Sequence, residues 1–187
     1  MPNGKYIYYA GDPELVNFAS SLRGDVEAMP YEGLSYRTEN EQTIVTVEGR
    51  DYAVGIFGKH NMQDMNAAML ACKSVGISAE DFMKAIVSFR GAAKRLQTLK
   101  ESKNSVAFLD FAHSPSKLKA TLDAVRDKYS NRKIVACMEL HTFSSLTKAF
   151  LPQYANTMAS ADEAMVYFNP QVIEHKRLEP ITEADVA

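Results

Sequence analysis

The order of apolar and polar positions divides the chain into a first part with mixed strand patterns and a second part in which strands and helices alternate. Residues 5–10 (KYIYYA) are rich in aromatic and β-branched side chains and predict a strand. Asp12 and Pro13 follow as the N-cap and the first residue of a short helix, which we expect to stop before Gly24.

An antiparallel hairpin is predicted next. Residues 43–47 (TIVTV) alternate between apolar and polar, the segment EGRD turns the chain, and residues 52–56 (YAVGI) resume the strand. Residues 34–39 are expected to add a third strand.

Two helices are predicted after the hairpin, the first of which ends at Gly76. Its apolar stripe repeats at spacings of three and four and consists of Met62, Met65, Met69, Cys72 and Val75. The second helix begins at a segment resembling a capping box, residues 78–81 (SAED). Its inward positions are expected to be Phe82, Ile86 and Phe89.

A regular alternation follows a charged segment, residues 100–104, that is expected to be an exposed turn. Strands are predicted at residues 105–110, 133–138 and 164–168, and helices at residues 115–128 and 145–160. This β-α-β-α-β order is typical of parallel strands joined by right-handed crossovers. We therefore predict an α/β fold: a parallel Rossmann-like sheet with flanking helices in the C-terminal part, preceded by a partial α/β domain with an antiparallel hairpin.

Composition excludes several classes of partner. The 187 residues carry a net charge of −2, which gives no basic surface excess for nucleic acid. No apolar run approaches the roughly 20 residues that span a bilayer, and the first residues lack a signal-peptide core. Cys72 and Cys137 lie in apolar patterns and are expected to be buried thiols. We expect a cytoplasmic protein without a nucleic-acid or membrane partner.

Polar side chains follow each predicted strand of the second part. They are Asp110 and His113 after the first strand, Glu139 and His141 after the second, and Asn169 after the third. Because ligands bind at the carboxyl ends of parallel strands, we expect these loops to meet at one edge of the sheet. Predicted helix N-termini near Ser114 and Ser145 favour an anionic ligand.

Three chemistries are compatible with these residue types. Histidine and carboxylate side chains could ligate zinc or iron, Asp110 could bind the ribose of a nucleotide, or the loops could position an anionic or amine substrate. The residues alone leave these open. A metal-dependent hydrolase that uses Asp110, His113, Glu139 and His141 is one alternative, and a non-catalytic nucleotide- or partner-binding module is another.

Three segments resemble signatures of the Mur ligases, the ATP-dependent amide-forming enzymes of peptidoglycan precursor assembly. Residues 58–68 (GKHNMQDMNAA) resemble G-x-H-N-x-x-N-x-x-A-A, residues 89–95 (FRGAAKR) resemble F-x-G-x-x-x-R, and residues 110–115 (DFAHSP) resemble D-[YF]-A-H-x-P. The three segments follow in the family's order. The resemblance implies that residues 1–93 are the C-terminal portion of a central ATPase domain and that residues 94–187 are the Mur ligase C-terminal, Rossmann-like domain, truncated at its end.

The resemblance also implies a reaction in which ATP phosphorylates a carboxylate and an amine attacks the resulting acyl phosphate. ATP and Mg²⁺ are the implied cofactors. The Mg²⁺ ligands and the phosphate-binding loop are expected outside this chain, so we assign no metal ligand here and expect the chain alone to be inactive. The remaining domains of the same enzyme are expected partners, and open faces left by missing strands are expected to favour a homodimer.

Roles for individual residues follow from the same resemblance. The implied cofactor-binding residues are Asn61, Asn66, Arg95, Asp110 and His60. The implied catalytic residues are His113, near the transferred phosphate, and Asp110. The implied substrate-binding residues are Glu139, His141, Ser145 and Ser114.

Residues 139–145 (ELHTFSS) resemble one branch of the family. That branch recycles cell-wall peptides by joining UDP-N-acetylmuramate to L-alanyl-γ-D-glutamyl-meso-diaminopimelate. The branch that adds L-alanine to UDP-N-acetylmuramate usually has a second His where Ser114 stands and Arg-Tyr where Thr142 and Phe143 stand. We therefore expect the peptide-recycling reaction, with L-alanine addition as the alternative.

Overall fold

The computed structural model describes residues 4–186, which fall into two compact units, one up to Arg90 and one from Gly91 onward. The first unit is made of β1 (Gly4–Tyr9), α1 (Pro13–Ser20), β2 (Val26–Tyr31), β3 (Tyr36–Glu39), β4 (Gln42–Val47), β5 (Arg50–Val54), α2 (Lys59–Ser74) and α3 (Ala79–Ile86).

β1 and α1 form as predicted, and β1 pairs with a strand that the sequence pattern did not reveal. The Asp12 carboxylate caps α1 by accepting from the backbone N–H groups of Glu14 and Leu15 at 2.9 and 3.2 Å. β2 then runs parallel to β1. Its sequence, VEAMPY, contains Pro30, which lacks a backbone N–H and argues against a central strand. Because β2 pairs on one side only, the sheet tolerates this proline.

The predicted three-stranded antiparallel sheet is present, in the order β3-β4-β5. Its hairpin turns at Glu48 and Gly49, whose φ angles are 50° and 77°. Two consecutive positive φ values are typical of the two-residue hairpin turn that matches the twist of the strands. The buried face of β4 carries Thr43, Val45 and Val47.

The methionine stripe of α2 forms the core of the first unit, with two corrections to the prediction. Met62, Met65 and Met69 are buried and pack with the sheet and with α3. Val75 is 75% exposed because it lies past the last turn of α2, and Phe89 is 43% exposed because α3 ends before it. Both were predicted to face inward.

The second unit follows the predicted alternation more loosely. It is made of β6 (Gln97–Glu101), β7 (Val106–Leu109), α4 (Pro115–Lys128), β8 (Val135–Leu140), β9 (Glu163–Phe168), α5 (Pro170–His175) and α6 (Glu183–Val186). β6 is antiparallel to β7, with an irregularity between Thr98 and Lys100, and replaces part of the predicted exposed turn. β8 and β9 are parallel.

Two features of this sheet differ from the expected continuous parallel sheet. β7 and β8 belong to different hydrogen-bonded pairs. The predicted helix at residues 145–160 is replaced by two short 3-10 turns, Ser144–Leu146 and Leu151–Tyr154. Pro152 accounts for this difference, because a proline in a helix interior removes one N–H and clashes with the preceding turn.

The core of the second unit lies on the side of β8 that faces α4. Its buried residues include Leu118, Leu122, Ala136, Met138, Leu140, Leu146 and Ile173. On the opposite face of β8, Cys137 is exposed rather than buried as expected, and Val135 is 53% exposed. Between residues 4 and 186, no helix combines the length and apolarity needed to cross a membrane.

Candidate active site

A cavity of about 1160 Å³ in the second unit is lined by β7, β8 and α4. Four of the predicted site residues line it: Asp110, His113, Glu139 and His141. The two strand-end loops therefore meet as expected, although their strands are not hydrogen-bonded to each other.

The Asp110 carboxylate organises the loop that it belongs to. Its Oδ1 accepts from the backbone N–H of Ala112 at 2.7 Å and lies 3.4 Å from the Thr121 hydroxyl, which donates to it. Its Oδ2 accepts from the backbone N–H of Leu96 at 2.7 Å. Each carboxylate oxygen can accept more than one hydrogen bond, so the group could also accept from a ligand hydroxyl.

These contacts fix the segment that enters β6. Lys94 and Leu96 have φ angles of 58° and 44°, which are uncommon for residues with side chains. Leu96 is also buried. The carbonyl of Lys94 accepts from the backbone N–H of Phe111 at 2.9 Å. Residues 94–96 and the loop of residues 110–115 are thus held together by two hydrogen bonds, both donated by backbone N–H groups.

The two histidines have the same local geometry. Nδ1 of His113 lies 3.0 Å from the carbonyl oxygen of Phe111, and Nδ1 of His141 lies 3.3 Å from that of Glu139. In each case the carbonyl belongs to the residue two positions earlier. When Nδ1 carries the proton and donates to that carbonyl, Nε2 is the nitrogen left for a ligand.

Phe111 lies beside both imidazole rings. Its ring centroid is 4.9 Å from that of His113 and 6.0 Å from that of His141, and the two imidazole centroids are 6.3 Å apart. The Arg95 guanidinium carbon lies 5.8 Å from the Phe111 centroid. Arg95 is thereby placed next to the loop that carries Asp110, and its side chain is exposed.

Two side chains that the sequence did not single out for the site contact the backbone of these histidines. The Tyr154 hydroxyl donates to the carbonyl of His113 at 2.6 Å, and the Lys176 ammonium donates to the carbonyl of His141 at 2.5 Å. Burial raises the pKa of Tyr154 above its ordinary value. Tyr154 lies in the segment predicted as a helix, residues 145–160, and Lys176 carried no sequence signal.

Ser145 has a different setting from the one predicted. Its side chain is buried, and its hydroxyl accepts from the Thr142 backbone N–H at 3.0 Å and from the Thr142 hydroxyl at 2.8 Å. The Ser145 hydroxyl thus contacts its own loop, and its contact with a substrate stays a prediction. The Ser144–Leu146 turn is also too short to provide the expected helix N-terminus.

Ser114 lies at the N-cap position of α4, but its side chain makes no capping hydrogen bond; its carbonyl accepts from Leu118. Glu139 is exposed on the uncovered face of β8. Asn169, the polar residue after β9, caps α5 by accepting from the backbone N–H of Gln171 at 2.9 Å. This local contact accounts for its position.

The remaining predicted residues belong to the first unit. The Asn61 amide donates to the carbonyl of Phe57 at 2.7 Å, and the Asn66 amide donates to the carbonyl of Glu32 at 2.6 Å. Counted from Gly58, the second asparagine of the G-x-H-N-x-x-N-x-x-A-A pattern falls on Asp64, so the motif does not support Asn66 as a cofactor residue. His60, in the first turn of α2, is half-buried.

The arrangement does not favour the metal-dependent alternative. Within the described part of the chain, no group of three or more His, Cys, Asp or Glu side chains is close enough together to hold a metal ion. The Asp110 oxygens accept from backbone N–H groups, and both histidines direct Nδ1 to carbonyls.

Comparison with known proteins gives the family. The sequence model of the family described as "Mur ligase, glutamate ligase domain" matches residues 94–184. The UDP-N-acetylmuramate–L-alanine ligase of Lactococcus lactis is 34% identical over 139 residues, which are 73% of this chain and 30% of that protein. The chain thus spans about 30% of the length of this relative.

Solved structures share the fold at low sequence identity. The UDP-N-acetylmuramate-alanine ligase of Thermotoga maritima is 17% identical with a TM-score of 0.60, over 95% of this chain and 45% of that one. A murein peptide ligase of Psychrobacter arcticus is 18% identical with a TM-score of 0.51, over 94% and 46%. The α/β fold class is confirmed by these neighbours. The family match over residues 94–184, which include the cavity, and the 34% identity to the Lactococcus lactis relative identify this chain as a member of the Mur ligase family.

Proposed function

We propose that this chain is part of an ATP-dependent ligase that joins UDP-N-acetylmuramate to an amine substrate through an acyl phosphate, in peptidoglycan metabolism. The observation that carries the proposal is the convergence of Asp110, His113, Glu139 and His141 on one cavity in the family-matched unit. In the same proposal, residues 1–93 are the end of the central ATPase domain and residues 94–187 the C-terminal domain.

The residues around the cavity fit a nucleotide. Asp110 keeps acceptor capacity for a ribose hydroxyl, and His113 in its imidazolium form can donate from Nε2–H to a phosphate oxygen while Nδ1–H stays on the Phe111 carbonyl. Arg95 supplies a cation beside the same loop. Bound ATP would supply the phosphoryl group, and these side chains would orient it and balance its charge. For Asn61 in the first unit, a cofactor contact stays a prediction from the family resemblance.

Within residues 4–186, no group of three or more His, Cys, Asp or Glu side chains could hold a metal ion, and we assign no Mg²⁺ ligand to this chain. We propose that the Mg²⁺ ligands lie in other parts of the enzyme, as the family resemblance implies.

For the amine substrate, we propose the tripeptide L-alanyl-γ-D-glutamyl-meso-diaminopimelate. Ser114, Thr142 and Phe143 support this choice, because the branch that uses L-alanine usually carries His, Arg and Tyr at these positions. L-alanine is the second candidate, since the Lactococcus lactis relative with 34% identity is named as an L-alanine ligase. His141 and Glu139 are the side chains that we place nearest to the amine.

The deciding experiment measures phosphate release from ATP by the enzyme that contains this chain. UDP-N-acetylmuramate is held constant, and the tripeptide is compared with L-alanine. We expect release that depends on the tripeptide and is lost in His141→Gln, whereas the matched variant of the exposed His175, His175→Gln, keeps it. Faster release with L-alanine would reverse the choice of substrate, and dependence on neither amine would refute the function.

A second measurement tests whether the isolated chain is inactive, as expected. We expect the isolated 187-residue chain to release no phosphate with either amine, because the phosphate-binding loop signature G-x-x-x-x-G-K-[ST] is absent from its sequence. Amide formation by the isolated chain would contradict this expectation.

A further inference from the structure

The carbonyl groups of the two cavity histidines are each held by a donor from the chain that follows β8. Tyr154 is 41 residues from His113 and donates at 2.6 Å, and Lys176 is 35 residues from His141 and donates at 2.5 Å. Both donors are half-buried. The two loops therefore have the same arrangement: Nδ1 near a carbonyl two residues earlier, and the histidine's own carbonyl bound by a distant side chain.

The positions of these carbonyls explain why such donors matter. His113 lies four residues past the end of β7, and His141 lies directly past the end of β8, so pairing between strands does not fix either residue. A hydrogen bond to a backbone carbonyl restrains the peptide plane and thereby the direction of the attached side chain. The Lys176 bond is charge-assisted and stronger than a neutral one.

Lys176 holds its loop through a second contact as well. Its ammonium lies 4.4 Å from the centroid of the Phe143 ring, a cation–π geometry. One side chain thus contacts both ends of the segment from His141 to Phe143. This lysine directly follows α5 as its C-cap, after the chain has returned through β9.

Tyr154 reaches His113 because the crossover between β8 and β9 is irregular. It is the last residue of the 3-10 turn that contains Pro152, and its ring packs against the core of the second unit. The ring is anchored by that core, and only the hydroxyl is directed to the His113 carbonyl.

We propose that Tyr154 and Lys176 are positioning residues that set the mutual placement of the His113 and His141 imidazoles, and through it the geometry of the ligase site. Neither is proposed to touch the reacting atoms. Their use in catalysis rests on the function proposed above, but the positioning itself does not, and the two parts are tested separately.

The first test uses the 187-residue chain without ligand. Ring proton signals of the histidines are assigned by NMR with single His→Gln variants, and the two imidazoles and Phe111 are close enough for ring-current shifts. We expect Tyr154→Phe to displace the His113 signals and Lys176→Met to displace the His141 signals. Signals of His60 and His175 should stay in place, and Lys176→Arg should restore the His141 signals because it retains a donor and a cation.

The matched controls are Tyr167→Phe, an exposed tyrosine on β9, and Lys119→Met, an exposed lysine paired with Asp123 on α4. The positioning role of Tyr154 and Lys176 is refuted if the signals of His113 and His141 do not move, or if the signals of all histidines move equally. If Lys176→Met does not fold, Tyr154→Phe, which retains the ring and removes only the hydroxyl, still tests the positioning through the His113 signals.

The second test uses the enzyme that contains this chain. We expect Lys176→Met to raise KM for the amine substrate about tenfold, equivalent to ~1.4 kcal/mol, while KM for ATP stays within about twofold. Tyr154→Phe is expected to act on KM for ATP instead. Displaced histidine signals without any kinetic change would refute the use of these histidines in the ligase, while equal losses in both KM values would refute separate positioning.

Discussion

The backbone N–H of Leu96 donates a 2.7 Å hydrogen bond to the Asp110 carboxylate, and Leu96 is a buried residue with a φ of 44°. A leucine in this backbone region is unfavourable by itself, so the surrounding contacts must hold it there. Asp110 therefore stabilises the entry into β6 in addition to its proposed nucleotide contact.

Replacement of Asp110 should lower both stability and activity. In Asp110→Ala the N–H groups of Leu96 and Ala112 lose their acceptor, at a cost of about 1–3 kcal/mol. Asp110→Asn keeps one oxygen and should have an intermediate effect. Urea unfolding of the chain measures this cost, with Asp127→Ala on the exposed side of α4 as the control. An unchanged unfolding free energy would mean that the carboxylate serves the ligand only.

Gly55 is expected to tolerate no side chain. A Cβ atom at this position would lie 2.7 Å from the carbonyl oxygen of Phe89, a backbone atom that cannot move aside alone. We predict that Gly55→Ala destabilises the chain by roughly 1–3 kcal/mol. Gly24→Ala is the matched control because no atom lies within 4 Å of its added Cβ. Equal melting temperatures of the two variants would contradict the prediction.

Thr43 carries a buried hydroxyl that makes no hydrogen bond within the described structure, and its residue is 0% exposed. Thr43→Val removes this unsatisfied group at similar volume. We expect the free energy of unfolding to rise by about 1 kcal/mol. Thr46→Val on the same strand should have the opposite sign, because the Thr46 hydroxyl donates to Asp51 at 2.7 Å. A loss of stability in Thr43→Val would point to a partner for this hydroxyl.

Asp51 should titrate well below the ordinary range of aspartate. Hydrogen bonds from Arg37, and then from Thr46, lower the pKa of its carboxyl from 3.8 to about 2. Since the folded-state pKa is depressed, the stabilisation is present above pH 3.8 and is lost as the pH falls towards 2. Carboxyl ¹³C NMR measures the pKa, and Arg37→Met should return it towards 3.8. A pKa near 3.8 in the parent chain would contradict the Arg37 contact.

The Ser145→Ala variant tests whether the Ser145 hydroxyl stabilises its own loop or contacts a substrate. Loss of the acceptor for the Thr142 N–H should cost about 1–2 kcal/mol of unfolding free energy. The neighbouring Ser144→Ala, at an exposed position, should be close to neutral. If Ser145→Ala instead raised KM for the amine substrate without loss of stability, the original prediction of a substrate contact would hold.

Local sequence determined much of the fold and the approximate place of the site. Alternation and turn chemistry predicted the β4–β5 hairpin, and apolar spacing predicted α2 and α4, because these signals depend on neighbouring residues only. The prediction that Asp110, His113, Glu139 and His141 would meet followed from the position of each residue after a strand.

Tertiary contacts decided the features that the local sequence pattern could not predict. β2 and β6 form because a partner strand is available, despite a proline in one and charges in the other. Ser145 is buried and its hydroxyl contacts Thr142 in its own loop. Long-range contacts place Tyr154 and Lys176 on the histidine carbonyls. Such contacts join residues more than 30 positions apart, and no periodicity of a single strand or helix encodes them.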